Sequence, residues 1–177
     1  VLSAARTGVL TWYDDDGLTK AATEQDITVE LLVAPGTYVI AGQPLLRVTG
    51  SAEVDAGVLR SQVSFGSERE TGMDPAYGFR QLVDIAERAL SPGVNDPTTA
   101  VQCIDRLHGL LRRIATRDLT VGDRIVDGVL RLRVRDASWA DYVALACNEI
   151  RHWGAASPRV CRRLDAMLHD LLGVVDD

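Results

Sequence analysis

The sequence predicts an α+β fold, on three observations. Residues up to about Phe65 are rich in Val, Leu, Thr, Gly and Pro, in short apolar runs punctuated by turn residues, the pattern of strands. From about Asp74 the apolar residues recur with the 3.6-residue period of helices. Between two pairs of such helices, Val129 to Val134 alternates apolar and basic, as a strand with one wet face does. The expected organisation is a small N-terminal β-rich subdomain, residues 1–66, packed with a mainly helical subdomain, residues 67–177, that holds about four helices and one further strand.

In the first part, Val9-Leu10-Thr11-Trp12-Tyr13 reads as a strand running into an acidic turn, Asp14-Asp15-Asp16-Gly17, and then a short helical stretch near Leu18 to Glu24. Ile27 to Val33 is a second strand. Pro35-Gly36 marks a turn, after which Tyr38-Val39-Ile40 and Leu45-Leu46-Arg47-Val48 are brief strands parted by Gly42. The spacing Gly36-x-x-Val39-x-x-Gly42-x-x-Leu45 resembles half of a barrel-sandwich hybrid, with a plain twisted hairpin as the simpler reading. Biotinyl and lipoyl carriers of that fold present a Lys on a hairpin, and no Lys lies downstream of Lys20, so a carrier role is not expected.

The helical part is punctuated by its own start signals. Asp74-Pro75 places a capping residue before a proline at the first helical position. Phe79, Leu82, Val83, Ala86, Ala89 and Leu90 then form one apolar stripe, ended by Ser91-Pro92-Gly93. Asp96-Pro97 repeats the signal for a second helix, with Ala100, Val101, Ile104, Leu107, Leu111 and Ile114 facing inward. After the strand that alternates from Val129, which is expected to rejoin the amino-terminal sheet, Ser138 caps a third helix carrying Tyr142, Val143, Leu145, Ala146, Cys147 and Ile150, closed by Gly154. Ser157-Pro158 opens a fourth, with Val160, Cys161, Leu164, Met167, Leu168 and Leu171 on its core side.

Composition removes several function classes. A 177-residue chain with 46% hydrophobic and 25% charged residues can bury a core. Its net charge of −6 argues against a nucleic-acid partner. The longest uncharged stretch, Leu31 to Leu46, is broken by Pro35, Gly36, Gly42 and Pro44, whereas a spanning helix needs about 20 mostly apolar residues. No bilayer crossing is expected here. The chain opens at Val1 without an initiator Met or a secretory signal, and is expected to be a detached part of a longer protein. Cys103, Cys147 and Cys161 each lie among apolar neighbours of a predicted helix and read as buried thiols in a reducing compartment. His108, His152 and His169 lack the spacing of helix-borne zinc pairs, so no metal is expected, and no other cofactor is indicated. Lys20-Ala21 lacks the phosphate-loop signature, and no Gly-x-Ser-x-Gly elbow is present, so nothing speaks positively for an enzyme.

The continuous stretch from Asp74-Pro75-Ala76-Tyr77-Gly78-Phe79-Arg80 through Ala89-Leu90-Ser91-Pro92-Gly93-Val94-Asn95-Asp96-Pro97-Thr98-Thr99-Ala100 resembles the signature of the bacterial predicted membrane proteins grouped as domain of unknown function 2254. Weaker similarity covers Gly8-Val9-Leu10, Pro35-Gly36 with Gly42-x-Pro44-Leu45, and Ile150-Arg151 with Ser157-Pro158. Glu70 departs from the pattern, which favours a small hydroxyl residue after the Glu-Arg pair. The resemblance implies transmembrane helices upstream as a partner, a membrane-anchored full-length protein and a soluble, cytoplasmic domain. It carries no established activity.

Two groups of residues are candidates for a site. Arg80, Asp84 and Arg88 stand four apart on one helix face, a carboxylate between two guanidinium groups. As an exposed ladder they contribute a few tenths of a kcal/mol per pair; if covered, they must be fully paired. The connector concentrates Ser91, Asn95, Asp96, Thr98 and Thr99 at the amino end of a helix, where free N–H groups and the dipole favour an anion. The simpler reading is that Asp96 caps the helix and the others build the turn. Trp12, Trp139 and Trp153 are candidates for an apolar surface, with core packing preferred for Trp139. The leading functional expectation is an assembly or regulatory domain of a membrane protein, acting as a homo-oligomer. Its rival is a small-ligand or anion sensor, or an enzyme, in which those eight side chains converge on a pocket.

Overall fold

A computed structural model describes residues 1–50, 54–117, 119, 122–135 and 137–175. The α+β class read from the sequence is observed: among the described residues there are six helices and eight strands. They form two compact units, Val1–Asp74 with Thr120–Asp136, and Pro75–Leu119 with Ala137–Asp177. A division in chain order at residue 66 differs from this one in two ways: the boundary falls at Asp74, and the 120–136 segment returns to the β unit.

The β unit contains β1 (Leu2–Ser3), β2 (Gly8–Tyr13), α1 (Asp15–Glu24), β3 (Thr28–Leu31), β4 (Tyr38–Val39), β5 (Pro44–Thr49), α2 (Ala56–Ser61), β6 (Val63–Gly66), β7 (Asp123–Val126) and β8 (Val129–Val134). Five strands pair in the order β1-β5-β3-β8-β7 and three in the order β4-β2-β6. The pairing of β3 with β8 is parallel, Leu31 opposite Val134, and β7 and β8 form an antiparallel hairpin. Side chains alternate across the pleat, so Val29, Leu31, Leu46, Leu132 and Val134 form part of one buried core. The intervening residues carry charges that alternate in sign from strand to strand: Asp123 on β7, Arg133 on β8, Glu30 on β3 and Arg47 on β5. Arg133 bonds Asp123 at 3.0 and 2.8 Å, and Arg47 pairs with Glu30. Asp14-Asp15-Asp16, expected as an exposed turn, instead starts α1. Gly17 N donates to Asp14 Oδ1 at 3.0 Å, and Asp15 and Asp16 fill the first turn, where the helix dipole favours negative charge. β4 and β5 join different sheets, and the flanking Gly36 and Gly42 take φ of +83° and +91°, which glycine adopts without steric cost.

The helical unit comprises α3 (Pro75–Leu90), α4 (Pro97–Ala115), α5 (Trp139–Gly154) and α6 (Pro158–Val175). The starts at Pro75, Pro97 and Pro158 are those read from the sequence. Ser138 caps α5 in a reciprocal capping box with Asp141. The four helices share one core: Phe79, Val83 and Ala86 from α3, Ile104, Leu107 and Leu111 from α4, Ala146 and Ile150 from α5, and Val160, Leu164, Met167 and Leu171 from α6. Phe79 and Tyr142 meet with ring centroids 5.1 Å apart. Two residues assigned to the core side of α6 are in fact exposed, Cys161 and Leu168. The inward stripe runs Val160, Leu164, Met167, Leu171, and each exposed residue sits one step past it, about 100° around the helix. Gly154 does not end α5 through a left-handed residue. It is buried, and a Cβ there would lie 2.5 Å from Val160 Cγ1, so its role is close approach of α5 to the start of α6.

Candidate functional site

Arg80 lies at the centre of the first candidate group. Its Nε donates to Asp84 Oδ1 at 2.6 Å, its Nη2 to Glu87 Oε2 at 2.9 Å, and its Nη1 to Glu149 Oε1 of α5 at 3.3 Å. Burial alone would lower the guanidinium pKa, but Asp84, Glu87 and Glu149 outweigh it and hold the group above its ordinary value. Every Arg80 nitrogen therefore faces a carboxylate of the same protein, and Glu87 and Glu149 are partners that the row of four-residue spacings did not reveal. Arg88 is exposed and stands outside this cluster.

The connector closes on itself. Ser91 O accepts from Val94 N at 3.0 Å and Asn95 N at 2.9 Å, and Asp96 N donates to Ala89 O at 2.7 Å. Ser91 Oγ donates to Arg88 O at 2.7 Å. Asn95 adopts φ of +47°, a conformation Asn tolerates better than most residues. Asp96 accepts from Thr98 N at 3.0 Å, Thr99 N at 3.1 Å and Thr99 Oγ1 at 2.5 Å. The Thr99 hydroxyl, then its backbone N–H, hold the Asp96 carboxyl below the usual carboxylate range. Arg159 from the start of α6 donates to Thr98 Oγ1 at 2.9 Å, a long-range partner not foreseen from the sequence. The first N–H groups of α4 are thus taken by an internal carboxylate.

The candidate residues other than Arg88 fall into two groups. Arg80 and Ser91 are eleven positions apart along α3 and its end, about 16 Å at 1.5 Å per residue. A groove between α3 and α4 is lined by Leu82, Ile85, Thr99, Gln102, Cys103 and other residues of α4; of the eight, only Thr99 lines it.

Two further constellations emerge that sequence spacing could not assemble. Asp74 is 5% exposed and is the one buried charged residue among those described. Arg69 grips its Oδ2 with Nε at 2.8 Å and Nη2 at 2.7 Å, and the same carboxylate lies against Gly36. This brings together the Pro35-Gly36 turn, the Glu68-Arg69 pair and the Asp74-Pro75 start. In the helical unit, Asp105, Arg163, His108, Asp170 and Arg112 form a chain between α4 and α6. Arg163 reaches Asp105 Oδ1 at 2.6 Å and His108 Nδ1 at 2.9 Å, while His108 Nε2 meets Asp170 Oδ2 at 2.7 Å. A guanidinium only donates, so Nδ1 accepts and the imidazole proton sits on Nε2, toward Asp170. The bond to His108, then that to Arg112, depress the Asp170 carboxyl.

The thiols offer no activated nucleophile in the core: burial raises Cys103, and it pushes Cys147 up to about 11. Among the described residues no three His, Cys, Asp or Glu side chains are gathered as a metal ion would need, and no helix is long and apolar enough to cross a membrane.

Comparison with known proteins supplies the context for this geometry. The family model described as predicted membrane protein (DUF2254) matches residues 1–170. Uncharacterized proteins of Mycobacterium bovis and Mycobacterium tuberculosis are each 34% identical over 182 residues. Those alignments cover 94% of this chain and 34% of each relative, so the chain spans about a third of the length of the curated relatives it matches. No solved structure matches it. With a family model across nearly the whole chain, and with the Asp74 to Ala100 signature forming α3, the closed connector and the start of α4, the chain belongs to the DUF2254 family of predicted membrane proteins.

Proposed function

We propose that these residues form an extramembrane, cytoplasmic domain that assembles or regulates the membrane part of its own protein, as a homo-oligomer. Membership in a family of predicted membrane proteins supports the setting. The observation that carries the choice of assembly over ligand sensing is the pairing of the candidate side chains with one another. Arg80 is committed to three carboxylates from two helices, and Asp96 to the first turn of α4. A site awaiting a ligand keeps polar groups converging on open space.

Two measurements test this reading. Cys161 is exposed while Cys103 and Cys147 are buried, so a membrane-impermeant maleimide reports on Cys161. It should label the full-length protein in inside-out vesicles and not in intact cells; the reverse pattern would exclude a cytoplasmic domain. The full-length protein in detergent should run as a defined oligomer by light scattering, and a monomer at micromolar concentration would rule out the assembly role. A saturable rise in melting temperature on titrating inorganic phosphate, abolished by Asp96→Ala or Thr98→Ala, would instead favour the sensor.

A further inference from the structure

We propose that the groove between α5 and α6 is the seat of an apolar helix from the remaining, membrane-associated part of the same protein. This rests on the reading of the chain as part of a membrane protein. The groove is walled by Trp139 and Val143 of α5 and by Leu168, Leu171, Leu172 and Val175 of α6. None of these side chains is charged. Leu168, Leu172 and Val175 are 39%, 64% and 50% exposed, at the i, i+4, i+7 spacing of a helix stripe. That stripe runs beside Val160, Leu164, Met167 and Leu171, which face the bundle. α6 therefore presents two apolar stripes, and its own unit covers one.

The walls select the chemistry of the occupant. Leu168 to Val175 covers seven rises of α6, about 10 Å, which accommodates about two turns of a docked helix. A polar or charged face laid there would lose its water without gaining a partner, whereas an apolar helix gains burial against aliphatic walls and the half-buried Trp139. The source follows from length and family. The curated relatives are about three times as long as the stretch they share with this chain, they match a chain assigned to predicted membrane proteins, and none of the helices described here is long and apolar enough to span a bilayer. A segment of the same polypeptide also meets the groove at the effective concentration set by its tether, an advantage that a separate molecule lacks.

The test uses the full-length protein in native membranes, carrying photoreactive benzoylphenylalanine at position 168 or 172, both exposed. Lys20, with 76% side-chain exposure in the other unit, is the control position. The expected result is an adduct from 168 and from 172, and none from 20, mapping by mass spectrometry to an apolar segment of the same polypeptide outside residues 1–177. Leu172→Asp should abolish the adduct formed from position 168. Adducts between two copies would overturn the proposal while leaving the assembly role standing. Adducts to lipid, or none from either position, would overturn it as well. Release of the full-length protein by carbonate washing would overturn both this proposal and the membrane reading beneath it.

Discussion

Asp74 shows how much a single buried charge constrains its surroundings. Its carboxylate lies where a Cβ on Gly36 would approach Oδ2 to 1.9 Å, and Gly36 also needs φ of +83°. Gly36→Ala therefore adds backbone strain and a steric overlap, a loss of about 1–3 kcal/mol in urea unfolding. Asp74→Ala removes the two-point ion pair with Arg69 and should cost about 1–3 kcal/mol. The two losses should not add, because removing the carboxylate removes the overlap; additive losses would show that the two groups do not touch. Sequence reasoning saw Asp74 only as a helix start, since its partners Arg69 and Gly36 stand at spacings that no local periodicity marks. Residue chemistry also sets the acid limb of stability. Asp96 and Asp170 have folded pKa values held below the ordinary one, Asp96 first by the Thr99 hydroxyl and Asp170 first by His108. A lowered carboxyl stabilises the fold above its unfolded pKa of about 3.9 and loses that contribution as pH falls through the lower folded value. The urea midpoint should thus fall below about pH 4, and Asp170→Asn should flatten that fall. An unchanged acid limb in Asp170→Asn would remove Asp170 from the account.

At the scale of elements, Arg80 ties α3 to α5 through Glu149 while sitting among the α3 carboxylates Asp84 and Glu87. Replacing it with Met keeps most of the aliphatic stem and leaves three carboxylates facing one another. Because the guanidinium is about a third exposed, the expected cost is modest, up to about 1 kcal/mol, and larger at low salt than at high salt. A double-mutant cycle with Glu149→Gln isolates the interhelical share; a coupling energy of zero would mean that the α3–α5 seam is held by packing alone. Helices were legible because their signals are local. Asp96-Pro97 and Ser138 mark starts, and stripes such as Phe79, Val83, Ala86 and Leu90 mark inner faces. The elements that escaped notice are short: β1 has two residues, β6 and β7 four each, and α2 six. Such segments complete too few periods to declare themselves, and their pairing is fixed by tertiary partners. Arg159 and Glu149 escaped for the related reason that each arrives from a distant helix.

At the scale of the whole molecule, the chain passes between the two units three times, at 74/75, 119/120 and 136/137. The alternation of Val129 to Val134 announces a strand that rejoins the N-terminal sheet, but not its place there, parallel to β3 and flanked by β7. That placement has an energetic consequence. Leu132 is fully buried and Val134 is 7% exposed, both in the core of the β unit, and each buried side chain of this size contributes about 1.5–3 kcal/mol. Residues 1–74 alone would lose both, together with the ladder that pairs Val29, Glu30 and Leu31 to β8, leaving β3 as an edge strand held by β5 on one side. For a unit of this size such a loss is comparable with the whole net stability of about 5–15 kcal/mol. Residues 1–74 expressed alone should therefore show no cooperative urea transition. The same residues joined through a flexible Gly-Ser tether to 120–136 should recover one, with near-native circular dichroism. A sharp, reversible transition in residues 1–74 alone would mean that the β7–β8 hairpin is an accessory, and that the β unit is complete without the strand that the chain returns to supply.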